Sequence, residues 1–114
     1  MTSPIESAPM PVEVSLVKNG AQYFFQNDQG NSFYTYDADQ KDTSRCVGAC
    51  ARGWPPVTAG GNAKPLGDWT LVARPDGKKQ WAYKGHPIYT NAAENAGGAR
   101  PDLNTERRWH KLVP

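Results

Sequence analysis

The chain has 114 residues, enough for one domain, and a hydrophobic content of 38% with a mean hydropathy of −0.72 keeps its core small. Gly 11 and Pro 10 predict many turns and short elements in place of long helices. A net charge of +2 with acidic and basic residues interspersed argues against nucleic acid as a partner, and no stretch approaches the ~18 apolar residues of a membrane helix.

Residues 1–11, rich in Pro, Ser and Ala, read as a flexible leader. They lack the basic and apolar regions of a signal peptide, and their composition suits a tether left after an export signal is removed. A first strand is predicted over about Val12–Lys18, then a type I′ turn at Asn19-Gly20, where both central positions need positive φ. AQYFFQ (21–26) is the second strand and SFYTYD (32–37) the third. An irregular excursion, ADQKDTSRCVGACARG (38–53), carries both cysteines and ends at Trp54; a turn or two of helix is expected in it. Residues 58–68 form a Gly-rich linker. The second half runs DWTLVAR (68–74), turn PDGK, KQWAY (79–83), a tight Lys84-Gly85 turn and HPIYTN (86–91). Its excursion (93–108) ends at Trp109, with a further helical turn expected in NTERRWH (104–110).

These halves are copies. VSLV from Val14 matches WTLV from Trp69, GNSFYTYDAD from Gly30 matches GHPIYTNAAE from Gly85, and Trp54 matches Trp109. All three pairings share one offset of 55 residues. The expected fold is therefore mostly β, with two pseudo-symmetric three-stranded antiparallel meanders forming a small sandwich or half-open barrel with little helix. The domain spans residues 12–114, its repeats about 14–57 and 69–112.

Tyr34-Thr35-Tyr36-Asp37-Ala38-Asp39 fits a Tyr-x-aromatic-x-x-Asp signature. Together with Cys46-x-Gly48-x-Cys50-Ala51-x-x-Trp54-Pro55-Pro56, residues 74–89 and the closing Trp109-His110, it resembles a family of small bacterial predicted lipoproteins, also described as secreted repeats of unknown function. The resemblance runs from Val14 to Pro114; in the second copy Asn91 and Glu94 replace the aromatic and the Asp. It implies export to the periplasm or outer cell surface, often with a lipid anchor, and carries no reaction. No lipobox cysteine is present, so peripheral membrane association rests on an anchor that has been removed.

Cys46 and Cys50 can bridge if they sit on one helical turn, and two cysteines in an exported protein suit a structural disulfide. A metal or redox site and free thiols are the alternatives, although neither Cys-x-x-Cys nor Cys-x-x-Cys-His is present. Tyr34, Tyr36, Trp54, Trp81, Tyr83, Tyr89 and Trp109 read first as core, and otherwise as the lining of a groove between the halves. Asp39 and Glu94 occupy equivalent positions, better suited to capping the following turn than to paired acid–base work. No nucleophile elbow, phosphate loop or Ser-His-Asp pattern is present, so no enzyme and no cofactor are expected. The reading is a monomeric extracytoplasmic binding module for an envelope protein or small ligand, with Tyr34, Tyr36, Asp39, Trp81, Tyr83, His86, Tyr89 and His110 as candidate contacts. The alternative is a periplasmic metal- or haem-handling protein using His86, His110, a tyrosine or a methionine.

Overall fold

A computed structural model of the chain describes residues 8–114; residues 1–7 of the expected leader lie outside the described residues. Pro11 is buried and Met10 packs against the core, so the end of that leader lies on the domain. The fold is mostly β. Strands β1 (Ser15–Asn19) and β2 (Gln22–Gln26) form a hairpin, and β4 (Trp69–Ala73), β5 (Lys79–Tyr83) and β6 (His86–Pro87) form a three-stranded antiparallel sheet. Strand β3 (Tyr34–Tyr36) pairs with β7 (Trp109–Lys111), and the sheets close into no barrel.

The pairing of β3 with β7 revises the meander expected for the first half. The segment leading into β3 meets its own hairpin at the Gln26–Ser32 bridge, and the ladder partner of β3 comes from the end of the second repeat. The second repeat receives the same treatment. Val57 N–H donates to Ile88 O (3.1 Å), Trp81 N–H donates to Val57 O (2.8 Å), and Pro56 bridges Tyr89. At the equivalent place, Leu112 N–H donates to Phe33 O (2.8 Å). Each repeat thus sends the segment after its tryptophan across to complete the other.

The turns follow from backbone sterics. The β1–β2 register makes Gly20-Ala21 the two-residue loop, with positive φ at Gly20 alone. That is the type II′ pattern, one residue later than the I′ turn expected at Asn19-Gly20. The I′ conformation occurs instead at Lys84-Gly85, where φ is 50° and 85°. Strand β1 begins at Ser15 because Pro11 and Val14 close a turn first (Val14 N–H to Pro11 O, 3.1 Å), leaving Val12 90% exposed. Among the described residues helix is confined to α1 (Ala49–Gly53), in the cysteine loop, and α2 (Ala92–Asn95). Helix α2 forms where the Asn91 side chain accepts the Glu94 N–H (3.1 Å) as a cap, whereas residues 104–108, expected to be helical, make turns around Asp102.

The core mirrors the repeat. Val14, Phe25, Phe33, Val57, Trp69, Trp81, Tyr83, Ile88 and Leu112 form the main cluster, in which Val14/Trp69, Phe33/Ile88 and Val57/Leu112 are equivalent pairs. Tyr34, Cys46, Trp54, Tyr89 and Trp109 form a second cluster between the repeats.

Candidate functional site

That second cluster lies on a pseudo-twofold axis. Equivalent residues Tyr34 and Tyr89 exchange both backbone bonds (Tyr34 N–H to Tyr89 O, 2.8 Å; Tyr89 N–H to Tyr34 O, 2.9 Å). The indoles of Trp54 and Trp109 stack at 4.0 Å and 7°. Each tyrosine meets the tryptophan of its own repeat edge-on, Tyr34 to Trp54 at 5.3 Å and Tyr89 to Trp109 at 5.1 Å. Edge-on and offset contacts suit the ring quadrupoles, which disfavour direct eclipsing. Tyr36 extends the stack onto Trp109 (4.4 Å), and its counterpart Asn91 has no ring to do likewise.

The carboxylates belong to the same device. Tyr34 OH donates to Glu94 Oε1 and Tyr89 OH to Asp39 Oδ2, both at 2.6 Å, so each repeat's tyrosine holds the other repeat's acid. Asp39 also accepts the Arg45 N–H (2.6 Å), six residues on, whereas Glu94 accepts the Ser32 N–H (2.8 Å) of the other repeat and does not cap its own following turn as expected. Burial, then the bond to Asp39, pushes the Tyr89 phenol up to about 12. Burial and Glu94 raise the Tyr34 phenol as well. Burial raises the Asp39 carboxyl against the lowering effect of Tyr89, the Arg45 N–H and the Arg74 charge. These acids are committed to tyrosines and backbone amides. They are tethers.

Sequence reasoning missed the polar bridge behind Tyr89. Ser44 Oγ lies 2.5 Å from Tyr89 OH, and the Arg74 guanidinium, only 7% exposed, donates to Ser44 Oγ (2.9 Å), Gln80 Oε1 (2.7 Å) and Cys46 O (2.9 Å). Gln80 in turn donates to Ile88 O (2.7 Å). Only the polar residues' position in apolar strands could have signalled this, since a buried charge must find partners. The disulfide is present: Cys46 and Cys50 are bonded, with Cα atoms 5.1 Å apart, and Cys46 is fully buried against the aromatic cluster.

The expected contact residues divide accordingly. Tyr34, Trp81 and Tyr89 are buried in the two clusters, a correction to the idea that repeated aromatic strands face a ligand; their rings are needed for the core of so small a domain. Tyr83 packs in the main cluster with one edge bordering a surface groove. Tyr36 and Asp39 are half-buried in the axial cluster and its tethers. The histidines are exposed and sit on different strands. His86 stands opposite Tyr83 on β6, and His110 opposite Thr35 on β7, with His110 Nε2 2.7 Å from Asp37 Oδ1. Among the described residues no group of three or more His, Cys, Asp or Glu could hold a metal ion.

A surface groove of about 640 Å³ does open between the repeats. It is lined by Gln22, Tyr23 and Phe24 of β2, by Asp68, Tyr83 and Lys84 of the second repeat, and by Val113. Lysines ride on its aromatics: Lys84 Nζ lies 5.3 Å from the Tyr83 centroid and Lys111 Nζ 4.0 Å from that of Phe24. Desolvation first, then the Arg100 charge, lowers the Lys111 amine. Of the expected contacts only Tyr83 lies here; Phe24 was read as an ordinary strand residue.

A family model described as a secreted repeat of unknown function matches residues 24–58 and again 70–110, one match in each repeat. No curated protein and no solved structure shows significant similarity to the chain. With two copies of the repeat covering most of its length, the chain belongs to this family of secreted repeats, and it is an exported protein.

Proposed function

We propose that the protein is a non-enzymatic binding module of the cell envelope, working in the periplasm or at the outer surface, and that its ligand seats in the groove between the repeats. The observation that carries this reading is the groove itself, with Phe24 and Tyr83 on its floor and Lys84 and Asp68 at its rim. Apolar rings with a few polar groups around them are the usual makeup of a binding cleft. Binding without chemistry suits the carboxylates, since Asp39 and Glu94 spend their lone pairs on Tyr89, Tyr34 and backbone amides.

The test is capture from the native envelope on immobilised protein, with Lys84→Glu and Phe24→Ser beside the parent. Lys84 is exposed, so its reversal leaves the fold intact. A protein or small molecule retained by the parent and lost with both variants supports the groove. Identical capture by all three sinks it. Protease treatment of whole cells, before and after outer-membrane permeabilisation, separates a periplasmic from a surface location.

A further inference from the structure

The two crossovers that trade Trp54 and Trp109 between the repeats are held very differently. Residues 37–53 carry the Cys46–Cys50 disulfide and are tied to the second repeat along their length. Asp42 N–H donates to Gly85 O (2.8 Å) and Thr70 Oγ1 to Asp42 Oδ1 (2.9 Å), while Arg74 holds Ser44 and Cys46 O. Residues 96–107 have no such ties among the described bonds. Gly97 and Gly98 bond back into α2, and Asn104, Thr105 and Glu106 bond to Asp102. Arg107 reaches only Asn104, and Arg100 only Glu94, at 3.9 Å. Residues 95–100 are all exposed, and Leu103 alone leans on the aromatic cluster. The counterparts of the cysteines in this crossover are Pro101 and Thr105.

The loose crossover delivers β7, which has three residues and pairs with β3 alone. From the far end of the chain it closes the first repeat and slides Trp109 between Tyr36 and Trp54. The other exchanged segment, Trp54 onward, cannot leave so easily, because the staple and Arg74 fix the loop before it.

We infer that β7 is an exchangeable strand whose partner is a second copy of this chain: when residues 96–107 open, the β7 of one copy pairs with β3 of another, and the donor's site is filled in return. The stapled crossover keeps Trp54 in its own molecule. The closed monomer and the strand-exchanged dimer make the same β3–β7 contacts, so chain association and the conformation of residues 96–107 set the balance, with no new interface required. The asymmetry of the cysteines then has a physical meaning, since it leaves one of two otherwise equivalent strands free to exchange.

The test uses the full chain carrying Thr35→Cys and His110→Cys, residues directly opposite each other across β3 and β7. Equal amounts of ¹⁴N- and ¹⁵N-labelled protein are unfolded together with the native disulfide intact, then refolded at concentrations from about 1 µM to about 1 mM, a range in which intermolecular assembly competes with closure. After mild oxidation, exchange gives 35–110 cross-links between light and heavy chains, in a fraction that climbs with concentration. A separate variant, Pro101→Cys/Thr105→Cys, copies the staple into the second crossover, and its dimer fraction by light scattering falls about tenfold below the parent's. Cross-links confined to single chains at the highest concentration, in protein retaining its native near-ultraviolet dichroism, overturn the inference. A dimer fraction unchanged by the second staple overturns it equally.

Discussion

Truncating the two axial tryptophans separately and together gives the sharpest test of the pseudo-twofold core. Trp109 stacks on Trp54 and on Tyr36 and meets Tyr89 edge-on, whereas Trp54 stacks on Trp109 alone and meets Tyr34 edge-on. A buried Trp→Ala change costs about 3–5 kcal/mol, and each well-placed aromatic pair adds about 0.5–1.5 kcal/mol beyond burial. Trp109→Ala, with one more ring partner, is therefore expected near the top of that range and Trp54→Ala about 1 kcal/mol below it. A domain of this size has a total stability of roughly 6–17 kcal/mol, so a single truncation leaves a folded protein to measure. Urea unfolding followed by the fluorescence of the remaining tryptophans gives the free energies, and the double variant closes the cycle. The coupling between the two positions should be about 1 kcal/mol, since they touch directly at 4.0 Å. The stacked indoles also couple their strong transitions, so a far-ultraviolet dichroic couplet should vanish in either single variant. Additive losses, or a Trp54→Ala variant weaker than Trp109→Ala, would falsify the axial stack as described.

Three further outcomes follow from other parts of the structure. Replacing both cysteines by serine should cost about 2 kcal/mol in urea unfolding, because closing so short a loop restricts the unfolded chain only modestly; no loss at all would mean the staple acts only on local loop motion. Tyr89 titrates near 12 in the native state against about 10 in the unfolded chain, so its contribution is intact below pH 10 and disappears as pH rises through 12. The loss should be about 2 kcal/mol, read from urea midpoints between pH 9 and 12 as a decline steeper than that of Tyr89→Phe, and parallel curves would refute it. Gly48 sits at φ 60° and ψ −124°, outside the reach of L side chains, so Gly48→Ala should destabilise by about 1–3 kcal/mol despite open space around its Cβ; a neutral result by thermal melting would show that the loop rearranges.

What the sequence discloses here is what repeats. The offset of 55 residues locates both halves, and the matched Tyr34/Tyr89 and Trp54/Trp109 prove to be the residues on the axis. Strand positions were legible because alternation and turn residues act locally. Partnership between strands is not local. Nothing in Trp109-His110-Lys111 says that its ladder partner is Tyr34–Tyr36 rather than a strand of its own repeat, since any antiparallel neighbour satisfies the same backbone groups. Arg74 and Gln80 were hidden for a related reason, as their partners Ser44 and Ile88 come from other segments. A groove between the halves was legible as a possibility, but its lining was not, because Phe24 and Lys84 come to it only through the packing of the two repeats.

The differences between the copies are as orderly as the likenesses. Positions on the axis keep their type, because a change in one copy would unbalance a contact made by both. Divergence begins one step out, where Asp39 becomes Glu94, Ser44 becomes Ala99, Tyr36 becomes Asn91 and the cysteines become Pro101 and Thr105. The longer Glu94 reaches both Tyr34 OH and the Ser32 N–H. The shorter Asp39 binds Tyr89 with Ser44 beside it, and Ser44 links that bond to Arg74 and so to the second repeat. Ala99 offers no hydroxyl, so the Tyr34–Glu94 pair has no equivalent link outward. The serine, the arginine and the disulfide therefore act together to fix one crossover. The second copy has Ala99, Pro101 and Thr105 at the places of the serine and the cysteines, so its crossover lacks these ties while the axial core is shared by both copies.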